Sequence, residues 1–447
     1  MRRFLFATAG SLGDLHPYIA VARALVERGH RAVIATAEDY RPDVEGAGIE
    51  FAPVRPSLSE MGDYEALLTK LFDVRRGPEY LVRELIMSNL RPGYEDLLQA
   101  SDGTDLLISH PLAVTLPLIA QRRALPWVAS VLTPMSFMSS YDPPLLGVAP
   151  WLRKLRALGP EAYRLVFNMF KRSVRGWEAP LRELRKDLGL PPSTRMAMFE
   201  GQFSPLRNLA LFDPQLAKAQ PDWPRHVRVC GAPVYDGAMP EGDIDKELGE
   251  FLAEGEAPIV FALGSSAVWV AGDFWDKAVA AARRLGRRAV LVTGPVTVKN
   301  LPREVRAFPY VPYSRVFPRA AAVVHQAGIG TLAQAMRAGR PQLLVPVSFD
   351  QPDNARRASA LGLARAIPFK KATARLLASE LAALLARPEY AHNAEEVARA
   401  LAQIDGAAQA ADELIACAYS EGAAGEPRTF ASHANGKGYG ADHSTFP

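Results

Sequence analysis

The chain has 447 residues, 49% of them apolar and 22% charged, a balance that is typical of a globular protein and excludes a disordered or fibrous chain. The formal net charge is +4, and the basic residues form no stripe with interleaved aromatic residues, so no nucleic-acid partner is indicated. The two cysteines, Cys230 and Cys417, cannot build a disulfide framework and lack the spacing of a zinc site, which favours a reducing, cytoplasmic location.

The first elements predicted along the chain are those of a βαβ unit. The apolar run Phe4–Thr8 indicates a strand, and a glycine-rich turn and an amphipathic helix that ends at Gly29 follow it. Arg31–Thr36 has the pattern of a second strand, and this order is typical of a parallel sheet. The remaining elements predicted in this half are a mostly helical segment, Tyr64 to Ala100, and the strands Leu106–Ser109 and Trp127–Leu132.

A helical and basic segment is predicted from Trp151 to Leu188. Its basic residues include Arg153, Lys154, Arg156, Arg164, Lys171, Arg172 and Arg175. One interpretation is a helix that makes peripheral contact with an acidic membrane surface, and the other is the solvated face of a helix packed on the protein. The sequence leaves both interpretations open, and no apolar run reaches the roughly 18–20 residues that would span a bilayer.

A second α/β pattern follows a cluster of proline, glycine and aspartate around residues 220–240, which is expected of an interdomain linker. Its predicted elements are Pro258–Leu263, Asp276–Leu285, Arg288–Thr293, Ala320–His325, Thr331–Ala338 and Gln342–Pro346. Two similar halves predict an α/β protein with two Rossmann-like domains whose parallel sheets face a cleft. The expected divisions are 1–219 for the N-terminal domain, 220–240 for the linker, 241–405 for the C-terminal domain, 406–420 for a C-terminal helix and 421–447 for a poorly ordered tail.

The residues from Tyr310 to Gln351 carry the most specific pattern. Within them, Gly328-Ile329-Gly330-Thr331 ends a strand and opens a helix, where free backbone N–H groups and the positive end of the helix bind anions. Glycine in such a loop lets a diphosphate approach the backbone closely. Because many α/β proteins have a loop of this kind, the motifs around it are what make the pattern specific.

These motifs are Tyr310-Val311-Pro312-Tyr313, Val324-His325-Gln326-Ala327-Gly328-Ile329-Gly330-Thr331, Gly339-Arg340-Pro341 and Asp350-Gln351-Pro352-Asp353-Asn354-Ala355. Supporting motifs are Gly13-Asp14-Leu15-His16-Pro17, Asp222-Trp223-Pro224, Gly231-Ala232-Pro233-Val234-Tyr235-Asp236-Gly237 and Gly264-Ser265. Together they resemble the GT-B glycosyltransferases of the UDP-glycosyltransferase family, which includes plant, antibiotic and sterol glycosyltransferases, and also bacterial rhamnosyltransferases of rhamnolipid synthesis. The resemblance covers nearly the whole chain except the tail and implies the GT-B fold and a UDP- or dTDP-sugar donor.

The resemblance assigns the donor sugar and the diphosphate to two groups of residues. Asp350 and Gln351 match the acidic–glutamine pair that holds the hydroxyls of the donor sugar. The groups that the resemblance places around the diphosphate are Gly264, Ser265, Gly328, Gly330 and Thr331.

The resemblance also assigns residues to the nucleoside, and it leaves two candidates for one contact with the diphosphate. Tyr310 falls where the family has a tryptophan that stacks on the base, Val311 where backbone groups meet the base, and Gln334 where plant members hold the ribose. The histidine that normally contacts the diphosphate aligns with Gln326, one place after His325, so both residues are candidates for that contact.

Inverting transfer of a sugar needs a group that takes the proton from the acceptor hydroxyl. The family position for this base aligns with Asp14, in the loop that leads into the first helix. His16 is the rival candidate, because an imidazole is better matched to neutral pH. Plant members orient the base with an aspartate about a hundred residues along the chain, but here the strand end offers Ser109 and His110, so a His–Asp pair is not expected.

No metal and no cofactor are expected, and the nucleotide sugar would be a co-substrate. Asp243-Ile244-Asp245 spells the Asp-x-Asp of metal-dependent transferases, but it precedes a helical run, where a capping role is favoured. The acceptor candidates are apolar side chains that fit a hydrophobic pocket and a core equally well: Met135, Phe137, Met138, Tyr141, Leu145 and Leu146.

The residues together predict an inverting glycosyltransferase that moves a sugar to a hydroxyl of a hydrophobic small molecule or lipid. The donor is expected on the C-terminal domain and the acceptor on the N-terminal one. The alternatives are a nucleotide-sugar epimerase and a non-catalytic partner protein that keeps the fold, the second supported by Gln326 in place of the histidine. A dehydrogenase is disfavoured, because Gly10-Ser11-Leu12-Gly13 lacks the spacing of a dinucleotide-binding loop.

Overall fold

The computed structural model describes residues 1–237 and 243–420, without the side chains of residues 243–245. The predicted tail, the end of the predicted linker and the Asp243-x-Asp245 side chains therefore lie outside the described residues. Two parallel sheets form the centres of two α/β units. The prediction of two Rossmann-like domains with parallel sheets is confirmed.

Seven parallel strands make the first sheet, in the order β3-β2-β1-β4-β5-β6-β7. They are β1 Arg3–Ala7, β2 Arg31–Thr36, β3 Glu50–Pro53, β4 Leu106–Ser109, β5 Trp127–Val131, β6 Asn208–Ala210 and β7 Val227–Val229. Both faces of β1 are buried, since Phe4 and Phe6 pack in one core and Leu5 and Ala7 in a second core on the opposite face. A strand that is buried on both sides reads as a continuous apolar run, which is why the sequence pattern found it.

Helices cover both faces of the first sheet. They are α1 Leu12–Glu27, α2 Arg41–Gly46, α3 Tyr64–Leu71, α4 Gly77–Tyr80, a π-helical segment Leu81–Met87, α5 Leu90–Ala100, α6 Leu116–Arg123, a 3₁₀ segment Pro150–Leu158, α7 Pro160–Val174 and α8 Ala179–Asp187. The segment predicted to be helical from Trp151 to Leu188 is thus a 3₁₀ segment followed by two α-helices.

Six parallel strands make the second sheet, in the order β10-β9-β8-β11-β12-β13. They are β8 Ile259–Ala262, β9 Ala289–Val292, β10 Val305–Phe308, β11 Ala322–His325, β12 Gln342–Leu344 and β13 Ala364–Ala366. The helices that follow residue 242 are α9 Asp243–Ala253, α10 Gly264–Ala267, α11 Phe274–Arg284, α12 Tyr313–Val316, α13 Ile329–Arg337, α14 Gln351–Ala360, α15 Ala374–Leu385, α16 Pro388–Leu401 and α17 Gly406–Ser420.

The chain crosses between the two units in places that the sequence pattern did not show. The predicted linker, 220–240, contains β7, which is the last strand of the first sheet. The C-terminal helix α17 returns to the first unit, where Leu414 and Cys417 share a core with Ile19 of α1. Arg28 of α1 also pairs with Asp412 of α17, with an Nε–Oδ1 distance of 2.9 Å.

The loops that follow the strands place both units around one cleft. In parallel sheets the carboxyl ends of all strands lie at the same edge, and ligands bind there. The loops after β1 and β4 of the first sheet and after β8, β9 and β11 of the second all contribute residues to this cleft. Within the described residues, no helix combines the length and the apolarity needed to cross a bilayer.

Candidate active site

A cavity of about 820 Å³ lies between the two sheets and is lined by residues from both. The first unit contributes the loop from Ala7 to Asp14, His110 and the helices between β3 and β4. The second unit contributes the loops around Gly264, Gln326 and Asp350. A cavity of this size, walled by two domains, is large enough for a nucleotide sugar and part of an acceptor.

Asp14 is held rigidly at the start of α1. Its Oδ2 accepts hydrogen bonds from the backbone N–H of Ser11 at 2.8 Å and from the Ser11 hydroxyl at 3.1 Å. Ser11 in turn caps the helix, so the two residues form a capping box. Gly10 has a φ of +127°, and a Cβ on it would lie 2.3 Å from Oδ2 of Asp14. The loop therefore fits around one carboxylate oxygen and leaves the other, Oδ1, to face the cavity.

His110 lies beside the second oxygen of Asp14. Its Nε2 is 3.5 Å from Oδ1 of Asp14, and its Nδ1 accepts a hydrogen bond from the backbone N–H of Leu112. Because Nδ1 is an acceptor, the neutral ring carries its proton on Nε2, which points toward the carboxylate. Below the ring, Tyr18 makes an edge contact at a centroid distance of 6.0 Å. The expectation that this strand end supports no His–Asp pair is wrong: the pair is present, with the two residue types exchanged relative to the plant enzymes.

His16 lines the cavity on the side of the chain segment that joins the two units. Its ring makes an edge contact with Tyr235 at a centroid distance of 5.2 Å. Burial lowers the pKa of His16 to about 4, although the Asp236 carboxylate and a backbone hydrogen bond at Tyr235 act in the opposite direction. An imidazole with this pKa is no more basic than a carboxylate. His16 is therefore not better matched to neutral pH than Asp14, which was the reason for considering it as the base.

The N-terminus of α13 forms the anion-binding wall of the cavity. Gly328 is the N-cap residue and supplies no side-chain cap, and Gly330 and Thr331 follow it along the wall. The N–H groups of the first turn are thus available to a negatively charged ligand. Gly264 and Ser265, after β8, line the same part of the cavity. The structure brings together all five residues that the sequence predicted around a diphosphate.

Gln326 lies between the two glycine loops. A Cβ on Gly264 would be 2.2 Å from Nε2 of Gln326, and a Cβ on Gly328 would be 2.7 Å from it. The side chain is buried, and its Oε1 has no hydrogen-bond partner within the described part of the chain. A buried amide oxygen without a partner needs a hydrogen-bond donor, such as a hydroxyl of a ligand, and the Nε2 group of the same amide can donate to a phosphate oxygen.

His325 faces away from the cavity and shapes the loop instead. Its side chain is fully buried, its Nε2 is 3.0 Å from Oε1 of Gln342, and its Nδ1 accepts a hydrogen bond from the backbone N–H of Ala327. Burial lowers the pKa of His325 to about 4, so the ring is neutral. The prediction that included His325 among the donor contacts therefore needs correction, and Gln326 is the residue of the pair that lines the cavity.

Asp350 and Gln351 stand at the cavity wall, at the start of α14. The Oε1 of Gln351 accepts hydrogen bonds from the backbone N–H groups of Val347 and Ser348, so the amide NH₂ group is left to face a ligand. Burial raises the pKa of Asp350 to about 7; the charge of Asp14 adds to this rise, and a hydrogen bond from Asn354 opposes it.

Asn354 connects three parts of the site and was quoted in the sequence motif without a role. Its Nδ2 donates to Oδ2 of Asp350 at 2.7 Å and to the carbonyl of Ala327 at 3.0 Å. Its Oδ1 accepts a hydrogen bond from the hydroxyl of Thr133 in the first unit. One amide therefore fixes the acidic residue and the glycine loop and also joins the two walls of the cleft.

Two residues with left-handed backbone border the same wall. Ala327 has a φ of +65° and Phe349 a φ of +55°, conformations that are uncommon for residues other than glycine, asparagine and aspartate. Ala327 directly follows Gln326, and Phe349 directly precedes Asp350. Strain of this kind persists only where the surroundings impose it, and it concentrates at functional sites. This strain could not be predicted from the sequence, since alanine and phenylalanine have no preference for a left-handed backbone.

The predicted nucleoside contacts also line the cavity. Tyr310, Val311 and Gln334 all belong to its wall. The Tyr310 hydroxyl lies 3.1 Å from the position of a Cβ on Gly237, so the ring packs against the segment between the two units. Gln334 carries an Oε1 without a hydrogen-bond partner among the described residues.

The predicted acceptor residues divide into two groups. Met135 and Met138 line the cavity. Phe137 does not, because it is stacked on Trp223 at a centroid distance of 4.2 Å inside a core, and Tyr141 is exposed on the surface. The last two assignments are therefore corrected.

The apolar wall of the first unit comes mostly from residues that the sequence analysis did not single out. They lie on α3, the π-helical segment and α5: Leu67, Leu68, Leu71, Leu85, Ile86 and Leu90. Adjacent apolar pairs recur four to five residues apart in this stretch, which widens the apolar stripe beyond what packing on the sheet needs. That width is the signal that could have marked these helices as a pocket wall.

Charged side chains contribute little to the wall that faces the donor loops. Among the described residues that line the cavity, Arg55 is the single arginine and there is no lysine. The Arg55 guanidinium is paired with Asp96, with an Nη2–Oδ1 distance of 2.7 Å. No group of three or more metal-ligating side chains occurs among the described residues, and independence of metal stays a prediction. An anion here would be held by N–H groups and the helix end rather than by cations.

Two family models match the chain. The N-terminal domain of glycosyltransferase family 28 matches residues 4–91, which include Asp14. The C-terminal domain of erythromycin biosynthesis protein CIII-like proteins matches residues 290–416, which include Gln326 and Asp350. The two matches fall on the two halves of the cavity.

Similar proteins extend over nearly the whole chain. The chain is 34% identical over 411 residues to O-mycaminosyltylonolide 6-deoxyallosyltransferase of Streptomyces fradiae, which covers 90% of this chain and 94% of that protein. It is 28% identical to a sterol 3-beta-glucosyltransferase of Arabidopsis thaliana over 90% of this chain and 63% of that protein. Among solved structures, the crystal structure of the glycosyltransferase VinC in complex with dTDP matches 94% of this chain and all of that chain, with a TM-score of 0.66 and 21% identity. This similarity supports the same fold.

Proposed function

The chain belongs to the GT-B glycosyltransferases that join a family 28 N-terminal domain to an EryCIII-like C-terminal domain, and from this we propose that it moves a sugar from a UDP- or dTDP-sugar to a hydroxyl of a hydrophobic acceptor, with inversion at the anomeric carbon. The observation that carries the proposal is the placement of Asp14. One of its oxygens is fixed by Ser11, and the other faces the cavity opposite the loops of the second unit.

Asp14 acts as the general base. As the acceptor oxygen attacks the anomeric carbon, its proton moves to Oδ1 of Asp14, and the bond to the diphosphate breaks on the opposite side of the sugar. Attack from the side opposite to the leaving group inverts the configuration. His110 is a positioning residue: its Nε2–H faces the carboxylate and holds it in the orientation that the transfer needs.

The leaving diphosphate is stabilised by groups that are already in place. The N-terminus of α13 and the amide of Gln326 meet the negative charge that develops as the bond to the sugar breaks. Because the wall lacks free cations, the helix end supplies most of this stabilisation. His325 contributes by holding the Ala327 turn, and it does not touch the ligand.

The donor sugar lies against Asp350 and Gln351. The free NH₂ group of Gln351 donates to a sugar hydroxyl, and the Asp350 carboxylate accepts from another. The acceptor occupies the apolar side, between Met135, Met138 and the helices from α3 to α5. Dispersion and burial of apolar surface favour a hydrophobic molecule there. The sterol and the O-mycaminosyltylonolide in the names of the relatives agree with this chemistry.

The proposal is tested by assaying the protein with a panel of UDP- and dTDP-sugars and hydroxylated hydrophobic acceptors. The expected product is a glycoside with the free nucleoside diphosphate, and the anomeric coupling constant in its NMR spectrum should be that of the inverted configuration. A product with retained configuration would contradict Asp14 as the base for direct displacement. A product in which the sugar–nucleotide bond persists would instead favour the epimerase alternative.

The pH dependence of donor binding should report on Asp350. Its pKa is raised to about 7, so the carboxylate gains a proton as the pH falls through neutrality and loses its capacity to accept from the sugar. We expect the Kd of the nucleotide sugar, measured calorimetrically, to rise by up to about tenfold per pH unit below pH 7. Asp350→Asn should bind more weakly with a flat profile, and the exposed Asp273→Asn should keep the native profile. A flat profile in the unmodified protein would rule out this role.

Substitution of His110 should affect turnover rather than donor binding. His110→Ala removes the Nε2–H that faces Asp14, and we expect kcat to fall by about tenfold with an unchanged KM for the donor. His110→Gln retains an N–H donor and should recover part of the loss. The comparison with His110→Gln decides the mechanism, because a hydrogen-bond donor can restore the orientation of the carboxylate but not the packing of an imidazole ring. Equal loss in both variants would leave His110 with a packing role alone.

A further inference from the structure

Large apolar side chains are exposed mainly on one part of the surface. Seven of the eleven exposed large hydrophobic residues in the described part of the chain fall between residues 141 and 170: Tyr141, Val148, Trp151, Leu158, Leu165, Met169 and Phe170. Leu158 is 73% exposed and Leu165 is 65% exposed. Single exposed apolar residues are ordinary, but such a concentration on a short segment marks an interaction site.

Four of these residues form a surface that we name the α7 face: Trp151, Leu158, Leu165 and Met169. Phe170 lies at its edge, where its ring stacks on Phe167 at a centroid distance of 6.0 Å. Leu165 and Met169 are four residues apart on α7 and therefore share one side of the helix. The 3₁₀ segment that carries Trp151 and Leu158 packs directly on α7. The opposite side of α7 is buried through Tyr163 and Phe167, so the exposed residues are not needed to hold the helix in place.

The α7 face is bordered by positive charge. Residues 151–175 contain seven arginines and lysines and one acidic residue, Glu161, an excess of six that exceeds the net +4 of the whole chain. Lys154, Arg156, Arg172 and Arg175 are exposed, and none has a carboxylate within ion-pair distance among the described residues. Positive charge concentrated in this way on one short segment attracts a counter-charge from outside the chain.

A small basic pocket adjoins the α7 face. It has a volume of about 290 Å³, and its wall contains four basic residues and one acidic residue, Glu200, which pairs with Lys171; the other basic residues are Arg172, Arg175 and Arg195, and Asn168 adds an amide. Asn168 and Lys171 flank the exposed Met169 and Phe170 in sequence, so the pocket opens beside apolar side chains. Guanidinium and amide donors around a cavity of this size suit a phosphate group.

We propose that the α7 face is a docking surface for an anionic phospholipid bilayer. The apolar side chains enter the boundary between headgroups and acyl chains, while the free cations and the basic pocket contact lipid phosphates. A protein partner is less well supported, because a protein interface core is depleted in charge, whereas here four cations without an ion pair among the described residues lie on the same segment as the apolar side chains. The inference goes beyond the proposed function and does not depend on it.

The location of the face adds a consequence for the acceptor. Tyr163 and Phe167, on the buried side of α7, share a cluster with Met138, which lines the acceptor side of the cavity. A protein docked through the α7 face would therefore hold that side of the cavity close to the bilayer, where hydrophobic acceptors dissolve.

Sedimentation with vesicles tests the proposal. The full chain should bind vesicles that contain about 30% phosphatidylglycerol in phosphatidylcholine, bind vesicles of phosphatidylcholine at least about tenfold more weakly, and dissociate as salt is raised. Leu165→Ser/Met169→Ser and Arg172→Glu/Arg175→Glu should each weaken binding to the anionic vesicles by at least about tenfold. Because all four side chains are exposed, these changes should leave the thermal unfolding temperature unchanged.

Matched controls keep the outcome decisive. Val26→Ser removes an exposed apolar side chain on α1, and Arg375→Glu/Arg399→Glu reverses two exposed cations on α15 and α16, so both should bind vesicles normally. Equal binding of all variants, or no binding by the unmodified chain, would overturn the proposal. Self-association in light scattering that the α7 variants abolish without any lipid would instead assign the face to protein contacts. Nucleotide diphosphate binding, measured without lipid, tests the proposed function separately.

Discussion

Asp14→Asn should lower kcat by about 10²–10⁴-fold while the nucleotide sugar binds with unchanged affinity. The substitution keeps the size and one acceptor oxygen of the side chain, so the hydrogen bonds from Ser11 and the start of α1 persist. What it removes is the basicity of the oxygen that faces the cavity. Because a general base acts only as the acceptor attacks, its loss should appear in kcat and not in the Kd of the donor.

The measurement combines steady-state turnover with calorimetric titration of the donor and with a thermal melt. Glu389→Gln removes an acidic residue from the first turn of an exposed helix, α16, and should leave all three unchanged. His16→Ala should retain most of the turnover, since the pKa of His16 is lowered to about 4. If Asp14→Asn keeps more than about a third of the turnover and His16→Ala is inactive, the assignment of the base must be reversed.

The fold could be predicted wherever burial on both faces makes a strand continuously apolar. Strands such as β1, β4 and β8 have this property, and the glycine turns after β1 and β8 indicated the βαβ order. The strands that were missed are short or polar: β6 has three residues and includes the buried Asn208, and β13 has three residues with one exposed. The return of α17 to the first unit could not be predicted, because a helix pattern shows which face is apolar and not which surface it meets.

The site was predictable where its residues follow one another in sequence, and less so where the fold brings them together. The glycine loop, Asp350 and Gln351 belong to one continuous motif. His110 was not expected to pair with Asp14, because plant members of the family have an aspartate at this strand end, yet β1 and β4 are neighbours and Ala7 pairs with Ser109 in register. Residues that follow two paired parallel strands lie at the same edge of the sheet. The strand order, had it been known, would therefore have predicted that His110 and Asp14 are close.

The hydrogen bond between Thr133 and Asn354 shows where sequence reasoning ends. It joins the first unit to the second, and no local pattern in either half reports how the two halves face each other. The same holds for the pairing of Arg357 with Asp142, at an Nη1–Oδ2 distance of 2.6 Å, and for the bond from the backbone of Leu145 to Asp353. Three polar links between α14 and the loop after β5 thus join the two walls of the cleft.

Gly264→Ala should weaken binding of both UDP and dTDP by about a hundredfold, measured by calorimetry. Gly264 has a φ of +70°, which alanine adopts only with strain, and the new Cβ would lie 2.2 Å from Nε2 of Gln326. The Gln326 side chain can move, but Gly328 bounds it on the other side, so it would be displaced from the wall that meets the diphosphate. The backbone strain at residue 264 and the displacement of Gln326 therefore both weaken the binding of the diphosphate.

Gly272→Ala is the control that introduces backbone strain without displacing a side chain at the cavity wall. Gly272 has a φ of +54° in the same unit, but a Cβ on it would meet nothing within 4 Å. This variant should lose stability to a similar extent and keep its affinity for both nucleotides. Gln326→Ala should weaken binding on its own, and adding Gly264→Ala to it should cost less than in the native background, because the collision is gone. Normal nucleotide binding by Gly264→Ala would show that the diphosphate binds elsewhere. There would then be no physical reason to expect the donor sugar opposite Asp14.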